Sequence, residues 1–456
     1  MGKFHLEDTI IALATPPGVS GIAVIRLSGP KAITLTQQLC SVKSLADKPT
    51  HTLHFAHLLN EDGVILDEVV ISLFKAPRSF TKENVVEISC HGSPVVVKEI
   101  IKTFLKIGAR LAEPGEFTKR AFLNGRFDLA QAESVADLIH AETSNAHQAA
   151  INQMRGGYSI EIKKLREQLI HFASLVELEL DFGEEDVEFA KRDELRHLIQ
   201  KIQRYLQSLL ESFDQGNVIK NGVPIVIVGK PNAGKSTLLN ALLNEEKAIV
   251  SEIPGTTRDF IEDEVIIDGI SFRFVDTAGL RETQDAIEKM GVERTVGQMK
   301  KAALILFLYD ISTTTQAERE DMLTGLMAMQ IPVLMVANKR DKAPELVENT
   351  ENQGIITISA AQQENLVALR QELIRRFKTR EIKQGDIVLT NLRHYQSFVE
   401  TNLALERVLS GMDAGITGDL LAMDIRQALH HLGLITGEIT TDDLLENIFS
   451  KFCIGK

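Results

Sequence analysis

Two hydrophobic periods alternate along the chain. Up to about residue 120, short apolar runs rich in β-branched residues occur at Thr9–Ala14, Gly21–Leu27, Val69–Phe74 and Asn84–Ser89. Pro16-Pro17-Gly18, Ser28-Gly29-Pro30, Glu61-Asp62-Gly63 and His91-Gly92 separate them, the pattern of strands divided by tight turns. Helical patterns follow Pro30 and Ser93, so residues 1–119 are expected to form one small α+β domain. After Pro114-Gly115 the period lengthens. Ile162, Leu165, Leu169, Phe172 and Val176 recur at three and four residues, as do Leu195, Leu198, Ile202, Tyr205, Leu209 and Phe213. This spacing predicts two long amphipathic helices, parted by the acidic break Gly183-Glu184-Glu185-Asp186, whose apolar stripes pack in a bundle. Residues 216–383 alternate strand and helix patterns, which predicts a mostly parallel sheet covered on both faces. Lys383-Gln384-Gly385-Asp386 closes that segment, and Leu421, Ile425, Leu429 and Leu432 return to one helical face. The expected fold is multidomain: an α+β N-terminal domain (1–119), an all-α bundle built from two chain segments (120–215 and 384–456), and an α/β domain (216–383) inserted between them.

The inserted segment carries the chemistry. Gly229-Lys230-Pro231-Asn232-Ala233-Gly234-Lys235-Ser236 reads G-x-x-x-x-G-K-S and lies between the strand-like Ile225–Val228 and the helix-forming Thr237–Leu243. Strand, glycine loop and helix make a phosphate cradle of backbone N–H groups at a helix N-terminus. Asn232, Ala233, Gly234, Lys235, Ser236 and Thr237 are therefore expected to bind the triphosphate, Lys235 at its β- and γ-phosphates and Ser236 at Mg²⁺. Asp276-Thr277-Ala278-Gly279 follows the strand-like Phe272–Val275 and suits Mg²⁺ and γ-phosphate contacts. Asn338-Lys339-Arg340-Asp341 is N-K-x-D. The Asp341 carboxylate accepts from the guanine ring N–H and exocyclic amine, a donor pair that adenine lacks. Ser359-Ala360-Ala361 suits a backbone contact to the guanine carbonyl. With four such segments in order at strand ends, the expected substrate is GTP and the expected activity its hydrolysis.

One catalytic group is missing from the usual set. The residue after D-x-x-G often orients the attacking water as glutamine, yet here it is Leu280. Arg281 is either a charge donor or a solvated loop residue. Glu288, in Asp285-Ala286-Ile287-Glu288-Lys289, either orients water or is an ordinary surface glutamate. Asn232 offers a side-chain oxygen inside the phosphate loop, so it either ligates a monovalent cation such as K⁺ or serves only as a turn residue. Ser251-Glu252-Ile253-Pro254-Gly255-Thr256-Thr257 supplies carbonyls and hydroxyls for such a shell, and Thr257 is the expected switch threonine for Mg²⁺.

Composition narrows the setting. The 456 residues include 50 basic and 63 acidic side chains, a net charge of −13, which argues against a surface generally coated by nucleic acid but leaves room for a local basic site. Cys40, Cys90 and Cys453 make neither a disulfide framework nor a metal-ligand spacing. No apolar run reaches the roughly 20 residues that span a bilayer. A cytoplasmic, reduced protein without a membrane role is expected.

Taken with the motifs already described, several further segments resemble the MnmE (TrmE) family of tRNA modification GTPases over nearly the full length. They are Ala14-Thr15-Pro16-Pro17-Gly18, Pro114-Gly115-Glu116-Phe117-Thr118-Lys119-Arg120-Ala121-Phe122-Leu123-Asn124, Pro254-Gly255-Thr256-Thr257-Arg258-Asp259, Ile435-Thr436-Gly437-Glu438-Ile439-Thr440 and Phe452-Cys453-Ile454-Gly455-Lys456. The resemblance implies formation of 5-carboxymethylaminomethyluridine at the wobble position of certain tRNAs, together with an FAD-dependent partner, MnmG, and a homodimer through the N-terminal domain. It implies K⁺ at Asn232, Ser251, Ile253 and Thr256, Mg²⁺ at Ser236 and Thr257, and a water-holding role for Glu288. It also implies a 5-formyl- or methylene-tetrahydrofolate site at Arg26, Glu87, Arg126 and Lys456. Arg126 stands where the family often has lysine, so charge is kept but contact geometry is not. An ordinary ion pair is the other reading of Arg26 and Glu87. Cys453 is either a nucleophile for one-carbon chemistry or a small packed residue. A ribosome-assembly GTPase acting as an RNA-binding switch shares the GTP motifs and is the alternative function.

Overall fold

The computed structural model describes residues 7–181, 191–245, 262–276, 302–378 and 380–455. They fall into two units, Met1–Ile139 with Ala150–Gln207 and Gln396–Lys456, and His140–Ala149 with Ser208–Tyr395.

The first unit opens with a sheet of β1 (Ile10–Leu13), β2 (Ser20–Ser28), β3 (Thr52–Leu59), β4 (Ile65–Phe74), β5 (Val85–Gly92) and β6 (Arg110–Leu111) in the order β3-β4-β5-β2-β1-β6. All neighbours are antiparallel except β1 and β6, which run parallel. Alternation puts Ala23, Ile25 and Leu27 of β2 on one face with Ile71, Ile88 and Phe104. That face is roofed by α1 (Ala32–Leu39) and α2 (Pro94–Lys106). The opposite face carries a smaller cluster of Ile10, Ala12, Ala112 and Phe117. β3 and β6 were not expected from the pattern. His54 and His57 interrupt the apolar run of β3, and β6 is two residues long.

Helices α3 (Glu116–Leu123), α4 (Leu129–Ile139), α5 (Ser144–Met154), α6 (Ser159–Asp181) and α7 (Arg192–Glu211) follow. Along α6 the buried stripe is Ile162, Leu165, Leu169, Ala173 and Val176, and along α7 it is Leu195, Leu198, Ile199, Ile202, Leu206 and Leu209. Phe172, Tyr205 and Phe213, expected in those stripes, are only half-buried. The helical period carries the seam to Ala173, Ile199 and Leu206 instead, and α7 stops at Glu211 before Phe213. The returning helix Gly418–Thr436 buries Leu421, Ala422, Ile425, Ala428, Leu432 and Ile435, and Arg166 of α6 donates to its Leu429 carbonyl. The acidic break at 183–186 lies outside the described residues.

The second unit contains α8 (Phe213–Asn221), β7 (Val223–Val228), α9 (Lys235–Glu245), β8 (Glu262–Ile267), β9 (Ile270–Asp276), β10 (Leu304–Asp310), α10 (Gln316–Met327), β11 (Val333–Asn338), α11 (Pro344–Glu351), β12 (Ile356–Thr357) and α12 (Leu366–Phe377). Its sheet runs β12-β11-β10-β7-β9-β8, parallel except for β8. β10 shows why it reads as an unbroken apolar run: Leu304, Leu306 and Leu308 face one core and Ile305, Phe307 and Tyr309 the other, as a strand covered on both faces requires. The chain is thus multidomain, with an α+β N-terminal part, helices drawn from two chain segments, and an inserted α/β P-loop part.

Candidate functional site

The parallel strands of the second unit all point their C-terminal ends to one edge. β7 lies between β9 and β10 in the sheet, and after β8 and β9 on one side the chain crosses to β10 on the other. Such a switch point opens a crevice at the strand ends. The loop Gly229–Gly234 follows β7 there and α9 begins at Lys235. Its glycines are dictated by close approach. A side chain at Gly229 would meet the Leu308 carbonyl at 2.1 Å, and one at Gly234 (φ +97°) would meet Asn338 Nδ2 at 2.2 Å. Asn232 is exposed and left-handed at φ +63°. Lys235 Nζ donates to the carbonyls of Gly229 (2.9 Å) and Lys230 (3.2 Å), within the loop it closes. Ser236 and Thr237 are exposed on the first turn of α9, and Ala233 is buried.

Asn338 joins three of the expected segments. It is buried, its Nδ2 donates to the Ala233 carbonyl (2.8 Å), and its Oδ1 accepts from the Ala360 N–H (3.0 Å). The Ser359 hydroxyl donates to Asp341 (2.6 Å). The phosphate loop, N-K-x-D and Ser359-Ala360-Ala361 are therefore one hydrogen-bonded assembly at the strand ends. Ala361 is exposed beside it.

Two residues that the sequence did not single out orient the lysines of this edge. Asp310, at the end of β10, accepts from Lys339 Nζ at 2.7 Å. Partial burial opposes its ionisation, but the bonds from Lys339 and Ser312 prevail and hold its carboxyl below the ordinary range. Glu318 accepts from Lys230 at 2.7 Å and closes a capping box with Thr315 at the start of α10. The Lys230 bond comes first among the causes that pull its carboxyl down to about 2. A T-x-x-E box just after β10 was the available signal for Glu318. Ser251, Glu252, Ile253, Pro254, Gly255, Thr256, Thr257, Thr277, Ala278, Gly279, Arg281 and Glu288 lie outside the described residues. Asp276 is described only as the last residue of β9.

A second constellation lies on the first unit. Arg26 on β2 and Glu87 on β5 are direct cross-strand partners and pair at 2.8 Å, each about a quarter exposed. The ion-pair reading of these two residues therefore describes this geometry. The guanidinium of Arg26 lies 5.7 Å from the rings of both Phe80 and Phe117, and that of Arg126 lies 4.9 Å from Phe80. Phe80, which sequence reasoning missed, is thus the aromatic element common to Arg26 and Arg126. Arg26 also donates to the Gly455 carbonyl at 3.5 Å, which draws the C-terminal segment to this corner. Lys456 itself lies outside the described residues. Pro114 and Ile454 form a bridge, and Gly115 N–H reaches the Cys453 carbonyl. Cys453 is exposed, although its backbone carbonyl is held by Gly115.

Behind this corner lies a charged cluster. Arg120, 3% exposed, donates to Asp8, Glu83 and Glu116. Arg110 pairs with Asp8 (2.6 Å) and Glu116 (2.5 Å). The Ser28 hydroxyl donates to Glu83 (2.7 Å). The Glu-Phe-Thr-Lys-Arg stretch is therefore a structural staple that fixes α3 to the sheet.

Residues 9–126 match the family model "GTP-binding protein TrmE N-terminus", and residues 129–453 match "MnmE helical domain". A tRNA modification GTPase MnmE of Cytophaga hutchinsonii is 60% identical over 98% of both chains. The proteins of that name from Christiangramia forsetii and Flavobacterium johnsoniae are 50% and 47% identical, each over 99% of this chain and 100% and 99% of their own. Among solved structures, Aquifex aeolicus Era bound to GDP.AlF4- aligns with 40% of this chain and 66% of its own, at 29% identity and a TM-score of 0.27. With its strand-end loops, its helices from two segments and relatives matching from end to end, the chain belongs to the MnmE (TrmE) family of tRNA modification GTPases.

Proposed function

We propose that this GTP hydrolase of tRNA modification works in the cytoplasm as a potassium-dependent enzyme. Together with an FAD-dependent MnmG partner, it builds the 5-carboxymethylaminomethyl group on wobble uridines from a tetrahydrofolate one-carbon unit. The observation that carries the nucleotide reading is the Asn338 bridge between the phosphate loop and Ala360. In this reading, Asn232–Thr237, Ser251–Thr257 and Asp276–Gly279 surround the phosphates, while Asn338, Lys339, Asp341 and Ser359–Ala361 hold guanine. The Asp310–Lys339 pair supports the last assignment by aiming the lysine stem along the base site.

The donor set suits both cations. Asn232 presents an amide oxygen and Ser236 a hydroxyl, both exposed at the phosphate loop, and oxygen donors are what Mg²⁺ and K⁺ take. Ser251, Ile253 and Thr256 are assigned to K⁺ with Asn232, and Thr257 to Mg²⁺ with Ser236. Bound there, the cations would supply positive charge where the transferring phosphoryl group becomes more negative. Glu288 is assigned to orient the water, with Arg281 and Lys235 as further charge donors. Initial GTP turnover is expected to rise about tenfold or more when KCl replaces NaCl at equal ionic strength, the effect of roughly 1.4 kcal/mol in barrier. Equal rates in both salts would remove the potassium assignment.

The folate is assigned to Arg26, Glu87, Arg126 and Lys456, with Phe80 as the aromatic surface common to both arginines and the exposed Cys453 as the candidate thiol. The homodimer reading is supported by an apolar strip on the first sheet. Phe55 and Val70 are cross-strand partners, and Ile22, Leu53 and Phe55 are each at least 66% exposed, a patch of the kind that marks an interface. The experiment for the function as a whole is mass spectrometry of tRNA nucleosides from cells with and without the gene. Loss of the modified wobble uridine is expected. Unchanged nucleosides together with defective ribosome assembly would favour the RNA-switch alternative.

A further inference from the structure

We propose that Arg78 and Lys82, with the outer edge of Arg126, form a phosphate-contacting strip that seats tRNA beside the Arg26–Glu87 corner. The inference rests on the reading of that corner as the place where one-carbon chemistry meets the RNA. Two loops of the first unit, around residues 76–83 and 124–126, are cross-tied by three hydrogen bonds. Lys82 Nζ donates to the Gly125 carbonyl, Asn124 Nδ2 to the Thr81 carbonyl and Arg126 to the Ser79 carbonyl, each at 2.7 Å. These bonds place Arg78, Lys82 and Arg126 on one pair of adjoining loops, and all three residues are exposed.

Among the described residues, none of the three has a carboxylate partner. Several other basic clusters are neutralised locally. Lys163 and Lys164 pair with Asp128 and Glu161, Arg166 with Glu438, Arg375 and Arg376 with Glu372, and Arg380 with Asp386. On a chain of net charge −13, whose mean field repels RNA, cations left uncompensated together are where a polyanion gains most.

Two further observations point the same way. Lys82 holds a left-handed backbone (φ +59°), a conformation that a side chain adopts at a cost and that clusters where function requires it. Partial burial of its guanidinium against Phe80 pushes Arg126 below its ordinary value, so a bound anion at its outer edge would restore it. Because the strip offers cations on loops rather than groups arranged to read base edges, its contacts would set position, not sequence.

The test compares the whole chain with its Arg78→Gln/Lys82→Gln variant. Glutamine at 82 keeps a donor for the Gly125 carbonyl while removing the charge. Binding of tRNA bearing an unmodified wobble uridine is titrated across a salt series. The variant is expected to bind about tenfold more weakly at low salt, with the slope of log K against log salt reduced by about 1.4–1.8, the change for two lost phosphate contacts. An Arg78→Lys/Lys82→Arg variant, which keeps both charges, is expected to bind as the parent does. Equal affinity and slope in the parent and the glutamine variant overturn the proposal. So does a loss shared by both variants, which marks a structural role. Calorimetry with 5-formyltetrahydrofolate and its polyglutamate form separates the two readings. A variant that keeps tRNA but loses the polyglutamate overturns the strip in favour of a carboxylate tail. A parent that binds no folate while the salt slope still falls leaves the strip standing and removes the folate assignment.

Discussion

Replacing Arg120 with methionine is expected to destabilise the first unit by about 3–5 kcal/mol at neutral pH, the cost of breaking a buried charge network: Asp8 and Glu116 keep Arg110, but Glu83 loses its arginine partner. Arg120 is 3% exposed and Glu116 2% exposed, with Glu83 and Asp8 against the same guanidinium. The effect carries a pH signature. Burial alone would raise the Glu116 carboxyl. Hydrogen bonds from Arg110 and the Glu113 N–H, with the charges of Arg120 and Arg110, prevail and hold it below its ordinary value. A carboxyl depressed on folding contributes stability above its unfolded pKa, near 4.5, and loses that contribution as pH falls through the folded value. The parent should therefore weaken below about pH 4.5. In the variant the carboxylates protonate more readily, so its deficit should narrow toward acid. Urea unfolding midpoints across pH 4–8 measure both effects. A deficit that stays constant with pH would show that lost packing, not charge, is responsible. Arg120→Lys should fall between the two, since a lysine keeps the charge but cannot span three carboxylates as a guanidinium does.

The second large effect is expected at Asn338. Asn338→Ala strands the Ala233 carbonyl and the Ala360 N–H, at about 1–3 kcal/mol for each buried group left unpaired. The cost falls on the phosphate loop and on Ser359-Ala360-Ala361 together, so GTP affinity should drop by about tenfold to a hundredfold or more, beyond any change in the melting midpoint. Asn338→Asp is the informative companion. Its carboxylate can still accept from Ala360 but presents an oxygen to the Ala233 carbonyl, so it should lose the phosphate-loop tie alone. Calorimetric titration with GTP and its non-hydrolysable analogue reads both variants. Affinity unchanged in Asn338→Ala would show that the three segments are not held together through this side chain.

Legibility in the sequence differed between the two constellations. The GTP edge was readable because each element is local. Gly229–Ser236, Asn338–Asp341 and Ser359–Ala361 are contiguous runs whose spacing encodes a backbone shape or a donor set. Asp310 was not readable as the partner of Lys339, since 29 residues separate them and an aspartate ending an apolar strand carries no signature of its own. The corner around Arg26 was harder. Its residues come from β2, β5, the loop of Phe80, the turn after α3 and the segment near Gly455, and only the family resemblance linked Arg26, Glu87, Arg126 and Lys456 in advance. Phe80 escaped because nothing distinguishes one loop phenylalanine from a core residue. The helical stripes were found apart from Phe172, Tyr205 and Phe213, because alternating threes and fours can be continued through Phe172 or Ala173, and through Tyr205 or Leu206, until a partner helix selects a face.

What the sequence determined by itself is therefore everything carried by short-range order: the strand–loop–helix after β7, the N-K-x-D run at a strand end, the helical periods and the family. What only the tertiary structure decided is everything that depends on strand pairing and burial. It put Arg26 opposite Glu87, brought two guanidiniums to the ring of Phe80, locked Arg120 into three carboxylates and left Arg78 and Lys82 without a carboxylate partner among the described residues. The physical reason is that backbone conformation is specified by neighbours along the chain. Whether a charge is satisfied or stranded is specified by neighbours in space, and those are known only once the sheet has chosen its register.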